Sequence, residues 1–184
     1  AMIASLVGSE MCIRDRGCGV CQSLVGKDKI SISMTDKGRL EPEEVKSLSS
    51  EDFDKIKKVC PGVLVEGLPI QEVNENSKHD LIWGYYNSLF YSWSTDSKIR
   101  FQSSTGGFLN GLSLYLLETK QVDFILHTAG DPDQPMRSIP KFSYNKEDLL
   151  NCESRSRYGP VSSLSKFNEA LDLNKPFAFV GKPC

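Results

Sequence analysis

The sequence predicts an α/β fold in which a mixed sheet is flanked by helices. Helical apolar periodicity and short buried strands alternate through its second half, as in "STGGFLNGLSLYLLE" followed by "VDFILHTA". The composition is that of an ordinary globular domain, with 39% hydrophobic and 25% charged residues. A chain of 184 residues is long enough to bury a core of this kind without disulfides.

Charge and hydropathy exclude several classes of function. The net charge is −2, from 22 basic and 24 acidic residues, so a nucleic acid or an anionic membrane surface is not an expected partner. The longest apolar run, near residues 112–117, is far too short to span a membrane. Six cysteines are spread over the whole chain, which is typical of a reducing cytoplasm rather than of a secreted disulfide scaffold.

The first elements are predicted from alternation and capping. Apolar residues alternate with polar ones over 30–34, which predicts a half-buried strand that turns at residues 36–38 into a short partner. A helix follows, with Ser49 as its N-cap, Asp52 three residues later, and a stop at Pro61-Gly62. Phe53, Ile56 and Cys60 share a face of this helix, so Cys60 is expected to face inward.

The later elements are less evenly marked. Residues 74–98 have no clean period and are predicted to be an irregular connection over a core edge. After the helix at 105–118 and the buried strand "VDFILHTA", we expect a loop at 130–140, helices near 146–151 and 161–171, and a strand at 177–180. His79 and His127 are expected to be structural.

A turn of small residues stands directly before an apolar helix pattern. Residues 103–107 are Ser-Ser-Thr-Gly-Gly, and an apolar face follows that we expect to be buried, formed by Phe108, Leu109, Leu112, Tyr115 and Leu116. Such a helix start offers unpaired amides, and Gly106 and Gly107 would let a phosphate approach the backbone closely. The alternative is a Ser/Thr-capped core helix with a glycine kink.

Three cysteines form the second constellation. Cys18 and Cys21 have Cys-x-x-Cys spacing, and Cys60 is followed by proline. Two thiolates at this spacing can hold one corner of an iron–sulfur cluster or a zinc ion. From the residues alone, an iron–sulfur site, a zinc site and plain structural or redox cysteines all remain possible interpretations.

The two ends of the sequence carry expectations of their own. The string "SLVGSEMCIRDR" resembles the translation of a sequencing adapter, so residues 1–16 are predicted to be non-native. The other end, "FAFVGKPC", delivers a strand into a turn and then stops. We therefore expect truncation at both ends.

Six stretches in one order resemble a known family. They are "GCGVC", "VCPG", "IRFQSSTGGFLNGLSLYLLE", "VDFILHT", "SRSRYGPV" and "FVGKPC". Each is weak alone, but their order and approximate spacing are similar to those of the beta subunits of coenzyme F420 hydrogenase and dehydrogenase. The family also includes chlorophyll-pathway reductases built on the same flavin and iron–sulfur core.

The resemblance implies two cofactors. The family's usual Cys-x-x-Cys-Gly-x-Cys motif would place its first cysteine at position 15, where this chain has Asp15. A [4Fe-4S] cluster is implied for the native parent through that cysteine and Cys18, Cys21 and Cys60. FAD is implied at the turn and nearby, with these residues as its expected contacts: Arg100, Ser103, Ser104, Thr105, Gly106, Gly107, Phe108, Ser156, Tyr158 and Lys182.

The same resemblance implies a domain division and an activity. We expect a small ferredoxin-like cysteine segment at 17–73, with its strand pair and short helix, and an α/β flavin-binding core at 74–184. The implied activity is an oxidoreductase that moves electrons between the cluster, FAD and a hydride-accepting substrate such as coenzyme F420 or another deazaflavin. Its electron partner would be ferredoxin or a hydrogenase or dehydrogenase subunit.

Other functions remain open from the sequence. The chain could instead be a ferredoxin-dependent reductase of another conjugated substrate, a non-catalytic electron-relay subunit, or a zinc-stabilised binding module. No Ser-His-Asp array or pair of carboxylates suggests hydrolysis, and no catalytic residue can be named.

Overall fold

A computed structural model of the protein describes residues 17–65, 73–82, 84–151 and 159–181. Its helices are α1 (Val20–Val25), α2 (Ser50–Val59), α3 (Ser97–Gln102), α4 (Phe108–Glu118), α5 (Lys146–Leu150) and α6 (Phe167–Asp172). Its strands are β1 (Ile30–Met34), β2 (Leu40–Glu44), β3 (Lys78–Asp80), β4 (Gly84–Tyr86), β5 (Phe124–Gly130), β6 (Ser138–Ser143) and β7 (Phe177–Phe179). Within these ranges, no helix has the length and apolar character needed to cross a bilayer.

A mixed three-stranded sheet forms the centre of the second half. β5 lies in the middle, antiparallel to β6 and parallel to β7, with Thr128 opposite Pro140 and Ile125 opposite Ala178. Helices α4 and α5 contact β5 and β6, respectively. The predicted α/β fold with a mixed sheet and flanking helices is confirmed.

The central strand is buried along almost its whole length. Phe124, Ile125 and Leu126 have no exposed surface, which is the pattern of a strand covered on both faces. The ring of Phe124 stacks on Phe177 of β7 with centroids 5.1 Å apart and meets Phe142 of β6 edge-on at 5.4 Å. These contacts join all three strands through one aromatic side chain.

The first third of the described chain has its own small core. β1 and β2 form an antiparallel hairpin, and α1 and α2 contact each other. Ile30, Leu48 and Phe53 make a buried cluster, against which Cys21, Val25 and Ile56 pack. The strand pair and the helix predicted here are both present, whereas a ferredoxin-like arrangement of the cysteine segment is not confirmed.

Helix α2 begins with the reciprocal cap that the sequence predicts. The Asp52 amide donates to Ser49 Oγ at 3.1 Å, and the Ser49 amide donates to Asp52 Oδ2 at 3.0 Å. Lys29, the residue before β1, has its Nζ atom 2.7 Å from the same carboxylate oxygen and so links the approach to this strand with the start of the helix. The hydrogen bond from Lys29, and then those from Ser49, lower the pKa of Asp52 to about 2.

Three local predictions are wrong over part of their range. The irregular connection expected at 74–98 contains the hairpin β3–β4 and the start of α3, which Asp96 caps by accepting hydrogen bonds from the Lys98 and Ile99 amides. The expected loop at 130–140 is present over residues 131–137, but residues 138–140 already belong to β6, an edge strand that tolerates Pro140. The helix expected at 161–171 starts only at Phe167, after a turn at 163–166. Each element is too short for its periodicity to be recognised.

His127 has a structural role, as expected, in the central strand. Its Nε2 atom lies 2.7 Å from the hydroxyl of the fully buried Ser143, and its Nδ1 atom lies 3.2 Å from the Thr128 carbonyl oxygen. Burial lowers the pKa of His127 below its ordinary value, despite the opposing hydrogen bond to Thr128. A neutral imidazole therefore joins β5 to β6.

We expect Asp52→Asn to flatten the acid end of the stability profile. Because the folded pKa of Asp52 lies below its unfolded value, its ionised form stabilises the fold fully above about pH 5, and this contribution is lost as the pH falls toward about 2. Thermal unfolding from pH 7 to pH 2 measures the effect. Asp54→Asn, which removes an exposed carboxylate from the same helix, should keep the wild-type slope. An Asp52→Asn profile parallel to the wild type would contradict this prediction.

Candidate functional site

The turn between α3 and α4 has an unusual backbone. The Ser103 amide donates to the Ile99 carbonyl oxygen at 3.0 Å and closes α3. Thr105, Gly106 and Gly107 then adopt φ values of 53°, 64° and 69°, all in the left-handed region. The Gly107 amide donates to the Ser104 carbonyl oxygen at 2.9 Å, and α4 starts at the next residue. Thr105 is the costly member, because a β-branched residue rarely takes this conformation.

A buried serine upstream holds this turn. The Ser94 amide donates to the Gly106 carbonyl oxygen at 2.8 Å, and the Ser94 carbonyl oxygen accepts a 3.1 Å hydrogen bond from an Arg100 guanidinium nitrogen. A Cβ atom at Gly111 would lie 3.2 Å from Ser94 Oγ, so α4 passes closely over the same side chain. Ser94 thus contacts α3, the turn and α4 together.

The two glycines of the turn are needed by the protein's own packing. A Cβ atom at Gly106 would lie 2.9 Å from the Cβ atom of Trp93, and one at Gly107 would lie 3.0 Å from the Ile99 carbonyl oxygen. The space beside their Cα atoms is therefore filled by neighbouring chain. The expectation that the missing side chains leave this space open to a ligand is wrong.

The N-terminus of α4 nevertheless keeps anion-binding character. Gly107 is the N-cap, no described side chain caps the helix, and its first turn carries no acidic residue. Asn110, in that first turn, donates from Nδ2 to Ser103 Oγ at 2.8 Å. The first-turn amides and the helix dipole together favour a negative group at this end.

The apolar face of α4 is not where the periodicity predicts it. Phe108, Leu109, Leu112 and Tyr115 are between 41% and 56% exposed. The buried residues are Ser113 and Leu114, and Leu114 packs with Ile99 of α3 and Leu149 of α5. Apolar residues occur on both sides of this helix, so the period alone could not decide which side α3 and α5 cover.

A small cleft lies beside the turn. The cleft has room for about one water molecule, because the volume open to the centre of a water is about 10 Å³. Its walls come from the end of α3, the first turn of α4 and the end of α5, namely Ile99, Gln102, Ser103, Asn110, Leu149, Leu150 and Asn151. In the described structure this cleft is too small for a flavin ring.

The predicted thiol ligands lie on neighbouring elements. Cys18 precedes α1, Cys21 is in α1, and Cys60 is the C-cap of α2. All three are half-buried, and none forms a disulfide among the described cysteines. The described ranges contain no group of three His, Cys, Asp or Glu side chains placed to hold a metal ion. The donor chemistry suits iron or zinc, but this arrangement does not gather the ligands, so the metal assignment stays a prediction.

Several other predicted residues cannot be placed. Ser156, Tyr158 and Lys182, as well as Asp15, lie outside the described residues. Of the expected flavin contacts, the structure brings together those of the turn and Arg100, which lies exposed beside Ser94. Sequence reasoning missed Ser94 and Asn110. A polar Asn within an otherwise apolar helix start was the available signal for the second.

Comparison with known proteins locates the resemblance on this part of the chain. Residues 89–168 match the family model described as coenzyme F420 hydrogenase/dehydrogenase, beta subunit N-term. The family resemblance is confirmed. The matched range contains Ser94, the whole turn and the predicted contacts Ser156 and Tyr158, whereas Cys18, Cys21, Cys60 and Lys182 lie outside it.

A similarity to a solved structure is also found. A chain of the F420-reducing [NiFe] hydrogenase complex from Methanosarcina barkeri is 28% identical over 47% of the present chain, with a TM-score of 0.42. The match spans 30% of that chain's own length. No curated protein matches the sequence with significance.

We expect Thr105→Gly to stabilise the protein. Relief of about 1–3 kcal/mol of left-handed strain should outweigh the roughly 0.5–1 kcal/mol entropic cost of glycine, because among the described residues the exposed Thr105 hydroxyl has a hydrogen bond only with Ser104 Oγ, at 3.2 Å. Urea denaturation should show a gain of about 0.5–1 kcal/mol. Thr105→Val, which keeps the β-branch, should give no gain. Equal stability of the two variants would mean that Thr105 is not strained.

Proposed function

We propose that the chain is part of an electron-transfer oxidoreductase of the coenzyme F420 hydrogenase beta-subunit type. The observation that carries the proposal is that the family match covers the residues that form the uncapped start of α4. The substrate we propose is coenzyme F420 or a similar deazaflavin. Electrons would be exchanged with a partner such as ferredoxin or a hydrogenase or dehydrogenase subunit.

The start of α4 is the proposed binding site for the FAD pyrophosphate. The amides of Phe108, Leu109 and Asn110 lie in a first turn that no described side chain caps, and the helix dipole adds partial positive charge there. These features fit a phosphate group. A bound flavin would accept a hydride from one partner and pass its two electrons on singly, or carry out the reverse process.

The residues around the helix start would hold the phosphate in a fixed orientation. Ser94 ties the Gly106 carbonyl oxygen and Arg100 to one point, so the amides cannot turn away without breaking the hydrogen bond between Ser94 and Gly106. Arg100 adds a permanent positive charge near the same turn. Ser156, Tyr158 and Lys182 are proposed as further contacts on the strength of the family resemblance.

A [4Fe-4S] cluster is proposed only for a form of the protein with a cysteine at position 15. Cys18, Cys21 and Cys60 would be its other ligands. The chain as printed has three of these thiols and an aspartate at the fourth position.

Asn110→Asp tests the phosphate site without disturbing the helix. An aspartate in the first turn favours the helix dipole and can accept a hydrogen bond from the Ser103 hydroxyl, so the fold should be retained. Its negative charge would repel the pyrophosphate and should weaken FAD binding by about tenfold or more. Quenching of flavin fluorescence on titration measures the dissociation constant, and circular dichroism monitors folding.

Asn145→Asp is the matched control. Asn145 is the N-cap of α5, and its side chain accepts a hydrogen bond from the Asp148 amide at 2.8 Å, a role that aspartate fills equally well. The control adds the same charge and should bind FAD as the wild type does. Equal affinity of all three proteins would exclude α4 as the phosphate site, and no binding by any of them would contradict the flavin proposal for this chain.

Asp15→Cys tests the cluster proposal. After anaerobic reconstitution, the variant should hold about four iron atoms per chain with the visible absorption of a [4Fe-4S] cluster, because it completes a four-thiolate set. The combined variant Asp15→Cys/Cys60→Ser should lose most of this iron. Stoichiometric zinc in place of iron, or an iron content that does not change when Cys60 is replaced, would contradict the proposed ligand set.

A further inference from the structure

The cysteine segment, residues 17–23, is hydrogen-bonded to the distant turn and helix at residues 162–168. The Leu164 amide donates to the Cys18 carbonyl oxygen at 2.8 Å, and Ser162 Oγ donates to the Gly17 carbonyl oxygen at 2.9 Å. Asn168 contributes two bonds to Ser23, from its amide to Oγ at 2.8 Å and from Nδ2 to the carbonyl oxygen at 2.5 Å. These partners are about 145 residues apart in the chain.

The contact is tight as well as polar. Gly19 has a φ of 82°, and a Cβ atom there would lie 2.9 Å from the Cβ atoms of both Ser162 and Ser165. Ser162 itself is only 8% exposed. Any side chain at position 19 would push the segment away from residues 162–168, which we call the seat of the cysteine segment. The backbone around Cys18 is therefore packed closely against the second half of the protein.

The other side of α1 is fixed by a different set of contacts. Cys21 and Val25 pack against the cluster of Ile30, Leu48 and Phe53, which belongs to the first third of the chain. Cys18, in the loop before α1, and Cys21, in α1, therefore belong to a segment that lies between that cluster and residues 162–168. Cys60, at the end of α2, has no hydrogen bond to the seat among those described.

We propose that Ser162 and Asn168 are positioning residues that set where the thiols of Cys18 and Cys21 lie relative to the α/β core. Their role rests on the proposed function, since a redox centre on these thiols would need a fixed distance from a flavin bound at α4. The hydrogen bonds to the backbone of residues 17 and 23 hold both ends of the cysteine segment. The placement itself can be measured without either cofactor.

Asn168→Asp in the full chain is the primary test. The substitution keeps the size of the side chain and places an acidic residue in the first turn of α6, so the helix is retained, but a carboxylate facing the Ser23 carbonyl oxygen cannot donate. Opening of the seat should raise the rate at which iodoacetamide alkylates Cys18 and Cys21 by about five- to tenfold. The rate at Cys60, read from peptide masses in the same sample, should stay within twofold of the wild type.

One further control and one pair of variants at Ser23 separate positioning of the thiols from a general loss of stability. Ser165→Ala removes a hydroxyl whose hydrogen bond, among the described residues, goes to the Ser162 carbonyl oxygen within residues 162–168 and not to the cysteine segment, so it should leave all three rates unchanged. Ser23→Ala removes the acceptor of the Asn168 amide and should raise the Cys18 and Cys21 rates, whereas Ser23→Thr keeps that acceptor and should restore them.

The outcomes distinguish this inference from the proposed function. Faster alkylation of Cys18 and Cys21 alone supports it, whatever the result of the FAD titration. An equal rise at Cys60, or failure of Ser23→Thr to restore the wild-type rates, would show a loss of overall stability and overturn it. Unchanged rates in Asn168→Asp would also overturn it, even if the protein binds FAD.

Discussion

The burial of β5 is the constraint on which the second half of the protein depends. This strand is covered on both faces, and both β6 and β7 form their sheet hydrogen bonds with it. β6 and β7 do not pair with each other, so each is held through β5 and through the aromatic contacts of Phe124. Helix α4 is joined to this strand by a short turn and also contacts it, so the buried strand anchors the C-terminal end of the helix.

The candidate site combines that fixed helix with a turn under local strain. Three consecutive left-handed residues form the turn, and Ser94 joins the turn to α3 and α4. The glycines are required by Trp93 and Ile99, which lie where side chains would otherwise be. As a result, the helix start combines a rigid backbone with amides that no described side chain caps, and both properties suit an anion site.

Parts of this arrangement were predictable from the sequence and others were not. Capping residues marked α2, and an uninterrupted apolar run marked β5, because these signals are local. β6 was hidden by Pro140, and α3 was too short to show a period. The turn was recognised from its run of small residues. Ser94 was missed because its hydrogen bonds to Gly106 and Arg100 come from its backbone atoms, which every residue type has. The seat of the cysteine segment depends on contacts across most of the chain, which no local pattern records.

That long-range contact has a consequence for the order of events during synthesis. Ser23 emerges from the ribosome well before its partner Asn168, which lies 145 residues later. At about 5–20 residues per second, the interval is roughly 7–30 s. During that time the cysteine segment cannot form its hydrogen bonds to residues 162–168. The hydrogen bonds between the cysteine segment and residues 162–168 can therefore form only after most of the described chain has been synthesised.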